Sequence, residues 1–122
     1  MSRNNFFLSL VFYLISFTSY SQILEPISWE FKVDSSNYSE SKQLDLIFEP
    51  TTEAGWYIYS SDNDPEAGPY TIFEFNENKT YTLQDELRVK NVKTKFDSVW
   101  FADVRYLDNG GAFIQSIIKN NN

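Results

Sequence analysis

The sequence predicts an all-β domain, a two-sheet sandwich built of short strands, and three observations carry this. Apolar residues alternate with polar ones in run after run, the period of a strand with one face turned inward. The runs are separated by clusters of Asn, Asp, Ser, Gly and Pro, the residues that make turns. No segment repeats its apolar residues at helical spacing, so the chain offers helices nothing to bury and leaves sheet-on-sheet packing as its means of building a core.

The elements follow in order. Trp29, Phe31 and Val33 alternate with Glu30 and Lys32, a half-buried strand. A polar loop covers residues 35–41. Leu44, Leu46 and Phe48 alternate with Asp45 and Ile47, and Pro50, which has no N–H for a ladder, is expected to end the run. Behind Gly55, a residue free to take positive φ, Trp56-Tyr57-Ile58-Tyr59 forms the third strand. Trp56, Ile58 and Ser60 face one way, and Tyr57 and Tyr59 the other. Aromatics on both faces mean that both are covered or that the tyrosines line a contact surface. Ile72-Phe73-Glu74-Phe75 is a fourth strand closed by the Asn76-Glu77-Asn78-Lys79 turn. Tyr81 and Leu83 give a short fifth. Leu87, Val89 and Asn91 give a sixth, exposed on one side. Residues 99–107 form a long seventh. Asp108-Asn109-Gly110-Gly111 is the strongest hairpin signal, because Asn-Gly suits a type I′ turn. Residues 112–118 return as the eighth, and Asn120-Asn121-Asn122 reads as a disordered tail.

Before these strands lies an export signal. Arg3 supplies the positive start, residues 6–17 the apolar stretch, and Ser19-Tyr20-Ser21 a small-x-small cleavage site before Gln22. The apolar stretch is shorter than the ~20 residues a membrane-spanning helix needs. The expected organisation is a leader at 1–21 and one domain at 22–119, giving a periplasmic or secreted protein whose mature chain does not span a membrane.

The chain has 17 acidic and 10 basic residues, a net charge of −7 that becomes one unit more negative when Arg3 leaves with the leader. Such a surface repels nucleic acid and anionic membranes. There is no cysteine and no histidine, so Ser-His-Asp and Cys-His catalysis and thiolate or imidazole metal ligation have no residues to use. No catalytic constellation, cofactor site or metal site is expected. Asp62, Asp64 and Glu66 alternate in one loop, but the glycine and distal Glu of a calcium loop are out of place, and a solvated acidic loop is the simpler reading. Asn37-Tyr38-Ser39 and Asn78-Lys79-Thr80 match the N-glycosylation pattern, read as chance in a bacterial chain. Trp29 and Trp56 are expected as core anchors. Trp100, beside Asp97 and Ser98, is a candidate loop residue for recognition.

Several motifs occur together in a particular order: Ile23-Leu24-Glu25-Pro26 and Ser28-Trp29-Glu30-Phe31, then Gly55-Trp56-Tyr57-Ile58-Tyr59-Ser60, the loop ending Gly68-Pro69, and Phe73-Glu74-Phe75. Phe96-Asp97-Ser98-Val99-Trp100-Phe101, Val104-Arg105-Tyr106 and Phe113-Ile114-Gln115 complete the set. In this order they resemble the N-terminal periplasmic domain of the thiol:disulfide interchange protein DsbD, in its Bacteroidetes-type secreted form. The resemblance implies an immunoglobulin-like β-sandwich that takes electrons from a membrane-embedded domain and passes them to oxidised periplasmic redox proteins through a cysteine pair shielded by a cap loop. Residues 97–101 stand where that loop would be. The family's version is commonly acidic, acidic, apolar, aromatic, glycine: Asp97, Val99 and Trp100 match, while Ser98 and Phe101 depart. The family's cysteines lie on strands after the hairpin that corresponds to residues 108–118. The sequence given stops at Asn122, so the resemblance implies a domain lacking its last strands and without redox activity. Disulfide exchange needs a thiolate, and this chain has none. The residues left for partner docking are Tyr57, Tyr59, Asp97, Val99 and Trp100. The alternative is a free-standing β-sandwich module that binds a protein or glycan through the same residues.

Overall fold

The computed structural model describes residues 25–121; the expected leader, its cleavage site and the start of the domain at Gln22 lie outside them. The described chain is all-β with almost no helix. Its elements are β1 (Ile27–Asp34), α1 (Tyr38–Ser41), β2 (Gln43–Thr52), β3 (Ile58–Tyr59), β4 (Tyr81–Lys90), β5 (Lys93–Asp97), β6 (Ala102–Leu107) and β7 (Ala112–Lys119). They form two antiparallel sheets, one in the order β1-β2-β7-β4 and one in the order β3-β6-β5.

The register explains why the alternations of the sequence coexist. Phe31 lies opposite Phe48, Phe48 opposite Phe113, and Phe113 opposite Val89. Opposite residues share a face, so Trp29, Phe31, Val33, Leu44, Leu46, Phe48, Phe113, Ile117 and Val89 all project from one side of the larger sheet. The other side carries a polar network. Ser116 donates its hydroxyl to Asp45 (2.6 Å) and accepts from Arg88 Nη1 (2.9 Å), and Arg88 Nη2 lies 3.5 Å from Asp45.

The hairpin signalled by Asp108-Asn109-Gly110-Gly111 joins β6 to β7, the central strands of the two sheets. These two strands hold the apolar core: Val104, Leu107, Ala112, Phe113 and Ile117. The turn differs from the expected type I′. Gly110 has φ +92° while Asn109 is not in the positive-φ region, and Gly111 N–H donates to the Asp108 carbonyl (3.1 Å). Positive φ at the second central residue alone is the type II pattern. Asn109 is instead engaged with β2: its Oδ1 accepts the Thr52 N–H (2.7 Å) and its Nδ2 donates to the Thr52 carbonyl (3.0 Å).

Pro50 does not end β2, which runs on to Thr52 with Pro50 opposite Trp29. Thr52 turns its backbone N–H and C=O toward Asn109, so Pro50, two residues earlier, turns its nitrogen to the same side. That side is empty of ladder there, because the pairing of β2 with β7 stops at Phe48. A proline costs nothing where no partner awaits its N–H.

Other expectations are corrected by the same kind of local reason. Residues 72–75 form no strand, although their rings are in place: Phe73 lies 4.9 Å from Phe113, 5.1 Å from Phe48 and 6.4 Å from Trp29. The segment covers the apolar face with side chains and pairs no backbone. The fifth and sixth runs are one strand, β4, interrupted by a bulge in which residues 85–87 stand opposite Gln115 alone. Two extra residues preserve the phase of the alternation, so the break looks like a gap between two strands. Asp85 takes φ +60° at the bulge. The long seventh run is a turn followed by β6, and the polar-looking Lys93–Asp97 before it is strand β5. The third run keeps only Ile58 and Tyr59 as strand. The polar loop at 35–41 contains the single-turn helix α1. The end of the chain is held, with Asn120 N–H donating to Thr80 (2.8 Å), its side chain bonded to Thr82 and Lys79, and Lys42 bonded to Asn121. Asn122 lies outside the described residues.

Trp29 and Trp56 are not core anchors: they are 51% and 49% exposed. Among the described residues β1 is an edge strand with nothing paired beyond it to cover Trp29, and Trp56 precedes the short β3. Among the described residues no helix is long and apolar enough to cross a membrane.

Candidate functional site

The smaller sheet gathers the candidate residues. Tyr59 lies opposite Tyr106 of β6, and Lys93 of β5 also lies opposite Tyr106. Tyr57, Tyr59, Tyr106, Lys95 and Asp97 therefore share one face. The rings of Tyr57 and Tyr59 are 5.5 Å apart, edge to face, and those of Tyr57 and Tyr106 are 5.1 Å apart. Lys95 Nζ sits 3.5 Å from the Tyr57 ring centroid and 5.4 Å from that of Tyr106, a favourable place for a cation. The alternation read from the sequence thus holds for the tyrosines. They are half-buried, covered by each other and by a lysine.

Asp97 is the hinge of the arrangement. It ends β5 and is only 7% exposed. Its Oδ2 accepts the Tyr59 hydroxyl (3.0 Å), and its Oδ1 accepts the Val99 N–H (2.9 Å) and the Trp100 N–H (3.4 Å). One carboxylate thereby satisfies the first amides of the β5–β6 turn and ties that turn to β3. Burial by itself raises the Asp97 pKa, but the Val99 amide, the Tyr59 hydroxyl, the Trp100 amide and the Lys95 charge together hold it below the usual carboxylate value. The neighbouring phenols are driven apart. Lys95, then Tyr59, lowers Tyr57, whereas Tyr57, burial and Asp97 raise Tyr59.

The turn itself displays apolar side chains. Val99 is 81% and Phe101 83% exposed, and Phe96, at 59%, lies with its ring 6.3 Å from that of Phe101. Trp100 is half-exposed and folds over Gly68, where an added Cβ would lie 3.5 Å from its Cγ. This brings the loop ending Gly68-Pro69 against the hairpin tip. Phe101 has φ +51°, the left-handed conformation that a β-carbon disfavours by about 1–2 kcal/mol. A glycine would take this conformation without that cost.

The acidic loop is folded into bonds of its own. Asp62 accepts from Ser60 Oγ (2.6 Å) and pairs with Arg105 Nε (3.0 Å), and Asp64 Oδ1 accepts the Glu66 N–H (2.9 Å). Among the described residues no three acidic side chains group as a metal site would require. Between them, Asn63 does work its sequence context does not announce. Its Oδ1 accepts the Arg105 N–H and its Nδ2 donates to the Arg105 carbonyl, both at 2.8 Å. The side-chain amide so copies a strand partner where β3 has ended. A cleft of about 520 Å³ beside β4, lined by Phe75, Asn76, Tyr81 and Leu83 among others, includes none of the residues gathered at the hairpin.

The arrangement supplies one ionised carboxylate, three phenols and one ammonium, and its evident work is to fix a turn. Tyr57, Tyr59 and Asp97 form a connected cluster, and Val99 and Trp100 are the residues it holds out. No family model matches this chain, and neither a curated protein nor a solved structure is significantly similar to it.

Proposed function

We propose that this chain is an exported, immunoglobulin-like β-sandwich domain, related to the N-terminal domain of DsbD, that binds a protein partner through the β5–β6 hairpin tip and performs no catalysis. The observation that carries the reading is the exposure of Phe96, Val99, Trp100 and Phe101 on a turn whose backbone is pinned by Asp97. Exposed apolar side chains on a pre-ordered turn bind without first losing backbone freedom. Val99 and Phe101 favour a protein surface over a glycan, because neither offers the hydrogen bonds that sugar hydroxyls need. The resemblance supports a partner among periplasmic redox proteins or a membrane-embedded DsbD-like domain, with docking retained and electron transfer absent for want of a thiolate.

The reading is tested by placing a photo-crosslinking phenylalanine analogue at Val99 in the cells that make the protein. The expected result is one discrete adduct, absent when the analogue stands at Glu40 on α1 and lost when Trp100→Ala and Phe101→Ser are added. Identical adducts from positions 99 and 40, or an adduct indifferent to the Trp100 and Phe101 substitutions, would overturn it.

A further inference from the structure

We propose that β1 is a dimerisation edge, on which a second copy of this chain adds its own β1 antiparallel to form one continuous sheet. The inference concerns a different surface from the hairpin tip and does not depend on it.

Among the described residues the outer edge of β1 is unpaired, in the sheet order β1-β2-β7-β4. Three odd-numbered residues, Trp29, Phe31 and Val33, are each about half-exposed there, at 51, 57 and 49%. An unpaired aromatic edge of this kind is a template for another strand.

The phase of the backbone fixes which register a second copy would take. Thr52 directs its N–H and C=O to Asn109, on the β7 side of β2. Pro50, Phe48 and Leu46 share that phase, and they lie opposite Trp29, Phe31 and Val33. In an antiparallel pair, opposite residues either both turn toward each other or both turn away. The N–H and C=O groups of Trp29, Phe31 and Val33 therefore point outward, free for a neighbour. The Glu53 N–H donating to Pro26 O (2.9 Å) has the complementary phase, with even-numbered β1 positions facing β2.

A two-fold axis at Phe31 uses all of these groups. It sets Phe31 opposite the second copy's Phe31, and Trp29 opposite the second copy's Val33, each pair exchanging backbone hydrogen bonds. The same register sets Glu30 opposite the second copy's Lys32, and Lys32 opposite its Glu30. Opposite charges meet twice across the axis, on the polar face where Lys32 already bonds Glu49 (2.9 Å) and lies 3.9 Å from Glu30. A shift of one residue would put Trp29 and Phe31 against polar neighbours on the wrong face. Free hydrogen-bonding phase, apolar face and charge pattern thus select the same register. The partner that fits it is the chain itself, because the pattern Trp-Glu-Phe-Lys-Val is complementary to its own reverse.

The purified protein is followed by sedimentation over a concentration series and by single-cysteine cross-linking. The chain has no cysteine of its own, so Phe31→Cys can cross-link only to another copy. Opposite residues in a hydrogen-bonded pair have Cα atoms about 5.5 Å apart, within the reach of a disulfide. The expected results are a concentration-dependent dimer, rapid disulfide formation by Phe31→Cys and none by Glu40→Cys. Glu30→Lys, which keeps the Lys32–Glu49 pair but sets like charges across the axis twice, is expected to weaken the dimer about tenfold. Glu30→Lys with Lys32→Glu is expected to restore it. A wild-type protein that remains monomeric up to about 1 mM would overturn the proposal and leave the edge to another extended chain. So would cross-linking no faster at position 31 than at 40, or a dimer indifferent to Glu30→Lys.

Discussion

Replacing Gln115 by methionine isolates a polar side chain on which the larger sheet depends. Gln115 is 3% exposed and its two Nε2 hydrogens serve three carbonyls, one hydrogen shared between two of them: Gln84 (3.3 Å), Asp85 (3.1 Å) and Ser116 (2.9 Å). Two of these belong to the β4 bulge. Methionine has similar length and volume, so little cavity forms and the hydrogen bonds are the principal loss. The carbonyls of Gln84 and Asp85 belong to exposed residues and can regain water, leaving each lost bond worth about 0.5–1 kcal/mol. Ser116 is 1% exposed, but its carbonyl faces β4 opposite Gln84 and keeps the ladder donor there, so the loss of this bond is also worth about 0.5–1 kcal/mol. The total is about 1–3 kcal/mol, a fall of about 5–15 °C in Tm for a domain of this size. Thermal and urea unfolding followed by near-ultraviolet circular dichroism measure it, and amide exchange of residues 85–87 locates it. A midpoint within about 2 °C of the parent, with exchange at the bulge unchanged, would refute the assignment of Gln115 as the support of the bulge.

Two further outcomes follow from the packing and the charges. Gly111→Ala would place a Cβ 2.9 Å from Leu107 Cδ2 and 3.0 Å from its Cβ; Leu107 is fully buried and cannot retreat, so a loss of about 1–3 kcal/mol is expected in urea unfolding, whereas an unchanged midpoint would show that the hairpin yields freely. Asp97 and Asp62 both have pKa values below the ordinary carboxylate value in the folded state, so each binds protons less readily folded than unfolded. Their contribution is therefore complete above the unfolded value of about 3.9 and is lost as pH falls from there through the lowered folded values. Urea midpoints measured from neutral pH downward are expected to fall in that window, less steeply for Asp62→Asn, and an identical profile for that variant would contradict the Ser60 and Arg105 contacts as the source of the shift.

The residues that were legible in the sequence are those whose structure is local. Alternation placed β1, β2 and β7, and Asp108-Asn109-Gly110-Gly111 located the hairpin between the central strands, because a turn is decided by the residues that make it. The shared face of Tyr57 and Tyr59 was readable from strand periodicity, and the place of Trp100 in a turn from its position beside Asp97 and Ser98. What was not legible depends on distant partners. Residues 72–75 have the pattern of a strand, yet they lie across the apolar face of the larger sheet, where only their rings are used. The charged run Lys93–Asp97 carries little apolar signal but is a strand because β6 pairs with it. Pro50 has the sequence signature of a terminator, since nothing in its neighbourhood shows that the ladder on its nitrogen side has already stopped.

The chain by itself determined an all-β architecture, the absence of thiol and imidazole chemistry, and the apolar composition of residues 99–101. These follow from residue types and a two-residue period, which need no knowledge of neighbours. Tertiary structure decided which aromatics are buried, how the bulge at Gln115 is filled, and that Asp97 joins Tyr59 to the amides of Val99 and Trp100. Burial and hydrogen bonding are relations between segments far apart in sequence: Trp29 is exposed because its strand lies at an edge, and Asp97 is a latch because Tyr59, 38 residues away, reaches it.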